Sequence, residues 1–221
     1  CRGTDSQTTE EVIVSGLLEN LPSFIVATAL LVMIPGQGVA MVLRQSIIGG
    51  PKAAFLSSLG NCLGILIWSI SSAIGLSAIF TRSETAYSIL KWSGVLFLTF
   101  ISVQTFLSLR KEFGKFDLES NELTSAWASF RLGLITNLTN AKAAVYAVAF
   151  IPAFIPQETS LGFGIVFLGA IWALISILWN IGLIWTVKKS ATYIQKPSVR
   201  RALTAISAVG ILGIAVGLAL S

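Results

Sequence analysis

Lys142 is the only charged side chain deep inside an apolar segment of this chain, and it closes the run Asn137-Leu138-Thr139-Asn140-Ala141-Lys142. A lysine ammonium is a compact cation with three donors and no acceptor, so the chemistry it suits is the capture of a carboxylate or another anion. Asn137 and Asn140 are three residues apart, on one face if the segment is helical, and each offers an amide that both donates and accepts. A second group of this kind lies earlier, at Ile34-Pro35-Gly36-Gln37-Gly38. Pro35 has no N–H and its ring clashes with the preceding turn, while Gly36 and Gly38 loosen the helix, so a carbonyl near Leu31 is freed as an acceptor. Gln37 and Asn61 add amides in otherwise apolar surroundings. Each feature also has a plainer reading. The ammonium can be held by backbone carbonyls of broken helices, the asparagines can join helices to one another, and Pro-Gly can be a simple kink.

The elements that must position these groups are helices in a bilayer. Of the 221 residues 54% are hydrophobic and 11% charged, against roughly 25% charged in an average soluble domain. The apolar residues come in six runs, near 19–43, 53–80, 86–109, 130–155, 161–187 and 201–220, and about 20 residues suffice to cross the hydrocarbon as a helix. They are continuous rather than alternating, which selects helices over a barrel. The expected fold is therefore an all-α integral membrane protein of six transmembrane helices. No basic segment followed by a short apolar one precedes the first run, so no cleaved signal peptide is evident. Cys1 and Cys62 form no metal or redox pair.

At this depth Lys142 carries weight. It lies eleven residues past Arg131, about 16 Å along a helix, too far for easy snorkelling. A charge at the bilayer centre costs about 2.5 to 3.5 kcal/mol on insertion scales, and such residues mark substrate or ion pathways.

The longest polar connection divides the chain into a polar tail over 1–18, a three-helix half over 19–110, a loop over 111–128 and a second three-helix half over 129–221. Odd halves run in opposite senses, and each opens with an interrupted span, which points to a binding site near the bilayer midplane between inverted repeats. Eleven Lys and Arg, among them Arg44, Lys52, Lys115, Lys188 and Lys189, fall on the side of the 111–128 loop, against Arg2, Arg82 and Lys91 on the other. The positive-inside rule makes the first side cytoplasmic and puts both termini outside. This asymmetry explains the net charge of +5, and no nucleic-acid partner is expected.

In these motifs the chain resembles the lysine exporter family of amino-acid effluxers (LysE/RhtB type). The likeness covers nearly the whole length: the Pro-Gly-Pro-like motif at Pro35, the turn Arg44-Gln45-Ser46-Ile47-Ile48-Gly49-Gly50, the Gly-rich stretch Leu59 to Gly64, the Asn-x-x-Asn-Pro-Lys-like motif ending at Lys142, and Phe150-Ile151-Pro152-Ala153-Phe154. Gln37 and Ala141 stand where the family has prolines, so both helix breaks are expected to be milder. The resemblance implies a bacterial inner-membrane exporter of amino acids or related metabolites, driven by proton exchange, with no cofactor. Some relatives carry an acidic residue in span 2 where this chain offers Asn61 and Ile65, so a neutral amino acid fits better than lysine. The substrate-binding residues expected are Lys142, Asn140, Asn137, Gln37, Pro35, Gly36 and Asn61.

A metal-ion transporter of the same broad superfamily would need Asp, Glu, His or Cys at membrane depth, and a membrane enzyme would need paired acids, His or a Cys pair. The chain has no His and places no acid deep in a run. Trp172 and Trp179, seven apart with Asn180 beside them, read as core packing. Gly60-x-x-x-Gly64 and Gly213-x-x-x-Gly217 read first as packing within the chain. The last span, facing lipid, also offers a surface for a homodimer.

Overall fold

A computed structural model describes the backbone of residues 4–34, 36–79, 84–108, 125–156, 159–194 and 197–220. Among these residues it is all helix: α1 (Thr4–Met33), α2 (Gln37–Ile48), α3 (Gly50–Ile79), α4 (Glu84–Ser108), α5 (Ala126–Leu138), α6 (Ala141–Val145), α7 (Leu161–Ile194) and α8 (Pro197–Leu220). After α6 the chain continues as a π-helical turn, Tyr146–Phe150, and a 3-10 turn, Ile151–Phe154. By length and apolarity α3 and α7 can each cross a membrane alone, and the bent pairs α1 with α2 and α5 with α6 qualify if each pair is one span, giving two to four candidate spans. The 111–128 loop lies outside the described residues apart from its last four positions. α1 reaches back to Thr4, through much of the segment read as a polar tail.

Local chemistry sets the helix ends. Ser125 caps α5 by accepting from Ala128 N–H at 3.1 Å. Between α2 and α3 the chain turns at Gly50, which has φ of 77°, a left-handed conformation that suits only glycine well. Pro197 opens α8, where its missing N–H costs nothing.

Both helix breaks are sharp without the two absent prolines: α1 and α2 meet at 57°, α5 and the segment Ala141–Phe154 at 59°. In the second break a capping side chain replaces the absent proline. Thr139 ends α5, and Asn140, extended at φ −86° and ψ 101°, caps α6 by accepting Lys142 N–H at 3.1 Å. In the first break Gly36 is extended at φ −132° and gives α2 no side-chain cap. Pro35 itself lies outside the described residues.

Hydrogen bonds fix the relative directions. Asn20 to Phe154 O, Thr28 to Tyr146, and Lys142 to Leu31 O put the first bent pair antiparallel to the second. Cys62 to Ala173 O, with Ser69 against Gly169, makes α3 antiparallel to α7. α5 runs parallel to α3, with Ser57 Oγ on Ser129 O at 2.9 Å and Asn137 against Gly64. The α3–α5 contact depends on glycine: a Cβ on Gly60 would run into the carbonyl of Phe130, and one on Gly133 into that of Ser57. Gly60 and Gly64 thus pack within the chain, as read. Gly213 and Gly217 show no such contact among the described residues, where a Cβ meets nothing within 4 Å.

The core is an apolar cluster centred on rings: Phe24, Tyr146, Phe150, Phe154 and Trp172, with Tyr146 stacked on Phe150 at 4.2 Å and tilted against Trp172 at 4.3 Å. The exterior is apolar as well, Ile74, Leu96 and Phe100 each being more than 60% exposed. A monomer in water rarely carries such a surface, and lipid covers it without cost.

Candidate functional site

The two helix breaks meet. Lys142, in the first turn of α6, donates from Nζ to Leu31 O at 3.2 Å, one of the carbonyls that α1 leaves unpaired where it ends. The freed carbonyl read near Leu31 and the cation read at 142 are therefore partners. Together they stand on the wall of a cavity of about 300 Å³.

Of the residues expected in a site, Gly36, Gln37, Asn61, Asn137, Asn140 and Lys142 all line this cavity. Their duties differ. Asn137 Nδ2 donates to Asn61 Oδ1 at 3.1 Å, so these two amides join α5 to α3 as the plainer reading held. Asn137 Oδ1 is buried against Gly64 and has no partner among the described residues. The Asn137 carbonyl accepts both Trp68 Nε1 at 3.3 Å and Asn140 N–H at 3.0 Å, which anchors the end of α5. The Asn140 side-chain oxygen caps α6, leaving its NH2 as the group it can offer a ligand. Gln37 is exposed at the start of α2, where Gly36 supplies no side-chain cap.

Electrostatically the cavity is one-sided. Lys142 is the only charged residue among its described lining. Gln37, Gly38 and Val39, the first turn of α2, also line it, and a helix start leaves its N–H groups unpaired and carries the positive end of the macrodipole. A cation, unmade backbone donors and neutral amides make a site for a group with negative charge. Groups of three His, Cys, Asp or Glu able to hold a metal are absent among the described residues.

Four lining residues were missed by the sequence reading: Tyr146, Trp172, Ser176 and Asn180. Trp172 packs in the core, as expected, and forms the cavity floor as well. Tyr146 Oη lies 2.6 Å from Thr28 Oγ1, fixing that floor to α1. The available signal was the four-residue spacing of Trp172, Ser176 and Asn180, which marks one face of α7. Trp179, one residue before Asn180, packs with Val42 and Leu183 instead. On the side of Tyr146 away from Lys142 the rings of Phe150, Phe24 and Phe154 continue the aromatic cluster.

The chain is similar in sequence to a family of known proteins. The family model described as LysE type translocator matches residues 29–221. An uncharacterized membrane protein of Bacillus subtilis, YrhP, is 23% identical over 211 residues, covering 92% of this chain and all of that protein. The homoserine/homoserine lactone efflux proteins of Salmonella typhi and Salmonella typhimurium are each 29% identical over 183 residues, covering 82% of this chain and 86% of theirs. No solved structure matches the chain. A family match over residues 29–221, which takes in both helix breaks, places the chain in the LysE-type translocator family, a family of translocators rather than of enzymes.

Proposed function

We propose that this protein exports small neutral amino acids or closely related metabolites across a bacterial inner membrane in exchange for protons. One observation carries the reading: Lys142 Nζ, 3.2 Å from Leu31 O, stands in the same cavity as the uncapped start of α2. In the empty site the ammonium rests on that carbonyl. When cargo enters, its carboxylate replaces the carbonyl and also meets the N–H groups of α2, while Gln37 and the NH2 of Asn140 hold other polar atoms. The efflux relatives support the class of cargo.

Six spans in two inverted halves are the architecture this function uses. Support comes from the pairing of like with like: the first broken span with the second, α3 with α7, and α4 with α8 through Ser102 Oγ on Ala208 O at 2.8 Å. The lining runs from Trp172 to Asn180, in the direction of the C-terminal end of α7, the side that its basic residues mark as cytoplasmic. The aromatic cluster packs on the opposite side of Tyr146, and in this reading cargo loads from the cytoplasm and leaves when those rings part.

A second reading has its own observation, because the Lys142 to Leu31 bond is also what a purely structural plug would make. Lys142→Met separates the two. It keeps length and apolar volume while removing charge, so the expected outcome is loss of efflux with membrane levels near normal. Export at the original rate would establish the plug.

A further inference from the structure

The wall contributed by α7 has no part in capturing a carboxylate. Trp172, Ser176 and Asn180 lie at i, i+4 and i+8, along one helix face over about 12 Å, and all three line the cavity. They are buried in the fold, at 7%, 4% and 5% exposure. Buried hydroxyls elsewhere are satisfied within the protein: Ser69 by Ile65 O, Ser72 by Ala147 O, Ser102 by Ala208 O. Ser176 and Asn180 make no hydrogen bond to another described residue, and their polar atoms are left to the cavity. A buried polar group kept without a protein partner needs one from a ligand or water.

Position says which part of a ligand. Lys142 is one helical turn from Tyr146 on the side away from Phe150, and Tyr146 packs against Trp172 with ring centroids 4.3 Å apart, so the cation stands beside α7 between Trp172 and Asn180. Ser176 and Asn180 lie about 6 and 12 Å beyond Trp172 along α7, within reach of a short side chain on an α-carbon whose carboxylate is at Lys142. No acidic residue is among the described lining, so a cationic side chain would find no counter-charge there.

We infer that Ser176 and Asn180 form a specificity subsite that reads the side chain of the transported zwitterion, selecting a neutral side chain that bears a hydrogen-bonding oxygen over an aliphatic one of the same shape. The inference rests on the transport reading above, with Lys142 at the carboxylate. Sites built to bond a substrate hydroxyl discriminate strongly against the analogue lacking it, because their own polar groups are then left unpaired.

Threonine and valine, alike in shape, differ by a hydroxyl in place of a methyl and serve as probes. Their export is measured from preloaded cells carrying the wild type, Ser176→Ala, Ser176→Thr, Asn180→Leu or Lys142→Met. The wild type is expected to favour threonine, Ser176→Ala and Asn180→Leu to lower the threonine-to-valine ratio about tenfold each, and Ser176→Thr to restore it. Equal export of the two by the wild type, or an unchanged ratio in both α7 variants, overturns the subsite. If Lys142→Met abolishes export while those ratios stay fixed, only the subsite falls. If Lys142→Met exports normally, or the wild type moves neither probe, the carboxylate reading falls and takes the subsite with it. Should Asn180→Leu fail to reach the membrane, Ser176→Ala decides alone, since it removes one oxygen from a small side chain.

Discussion

At the scale of single residues, the second helix break is a capping problem solved by an amide. Asn140 holds an extended backbone and gives its side-chain oxygen to Lys142 N–H, and this points the lysine toward Leu31 O. Asn140→Ala is expected to lose about 1 kcal/mol of stability, read as a lower midpoint in thermal unfolding of detergent-purified protein. Ala141→Pro should do the opposite. Ala141 is the first residue of α6, where proline's fixed φ is already helical, and the extended conformation of Asn140 is the one a following proline requires. A gain of about 0.4 to 1 kcal/mol is expected, and a destabilised Ala141→Pro protein would contradict this account of the break. Lys142→Arg belongs beside Lys142→Met: a planar guanidinium directs its donors differently from a compact ammonium, so transport should recover little.

At the scale of elements, α3 organises the protein. Its glycines admit α5 at backbone distance, and its Ser72 donates to Ala147 O at 2.8 Å, a carbonyl whose π-helical partner would be the N–H that Pro152 lacks. Trp68 holds the other side of the break at Asn137 O, so both halves of the broken span are tied to one straight helix. Gly133→Ala must therefore displace the Ser57 backbone, and is expected to abolish recovery of monodisperse protein on size-exclusion chromatography. Gly213→Ala and Gly217→Ala, with open space at their Cβ positions, should elute as the wild type. The contrast separates two motifs that look alike in sequence: Gly60-x-x-x-Gly64 meets a helix of its own chain, whereas Gly213-x-x-x-Gly217 meets nothing among the described residues.

At the scale of the whole molecule, orientation and cavity give one joint expectation. Single cysteines placed in the 111–128 loop and at Ser176, in a chain freed of its own cysteines, should be labelled by an impermeant maleimide in inside-out vesicles and spared in intact cells. Labelling of the loop from outside would invert the topology, and labelling of Ser176 alone from outside would put the cavity mouth on the wrong face. What the sequence alone determined is what depends on composition and local covalent chemistry: helices in a bilayer, the breaks at Pro35 and Asn140, the free carbonyl near Leu31 and a cation too deep to snorkel. The four-residue spacing of Trp172, Ser176 and Asn180, one face of a helix, was also there to be read, but the sequence reading pairs Trp172 with Trp179 instead. Only the tertiary structure decided what that face meets, because a helix period gives angles about its own axis and nothing about which neighbour fills them. For the same reason the pairing of Asn137 with Asn61, of Lys142 with Leu31 and of Tyr146 with Thr28 had to await the packing. Each joins residues from 76 to 118 positions apart, brought together only when the two broken spans close on α3 and α7.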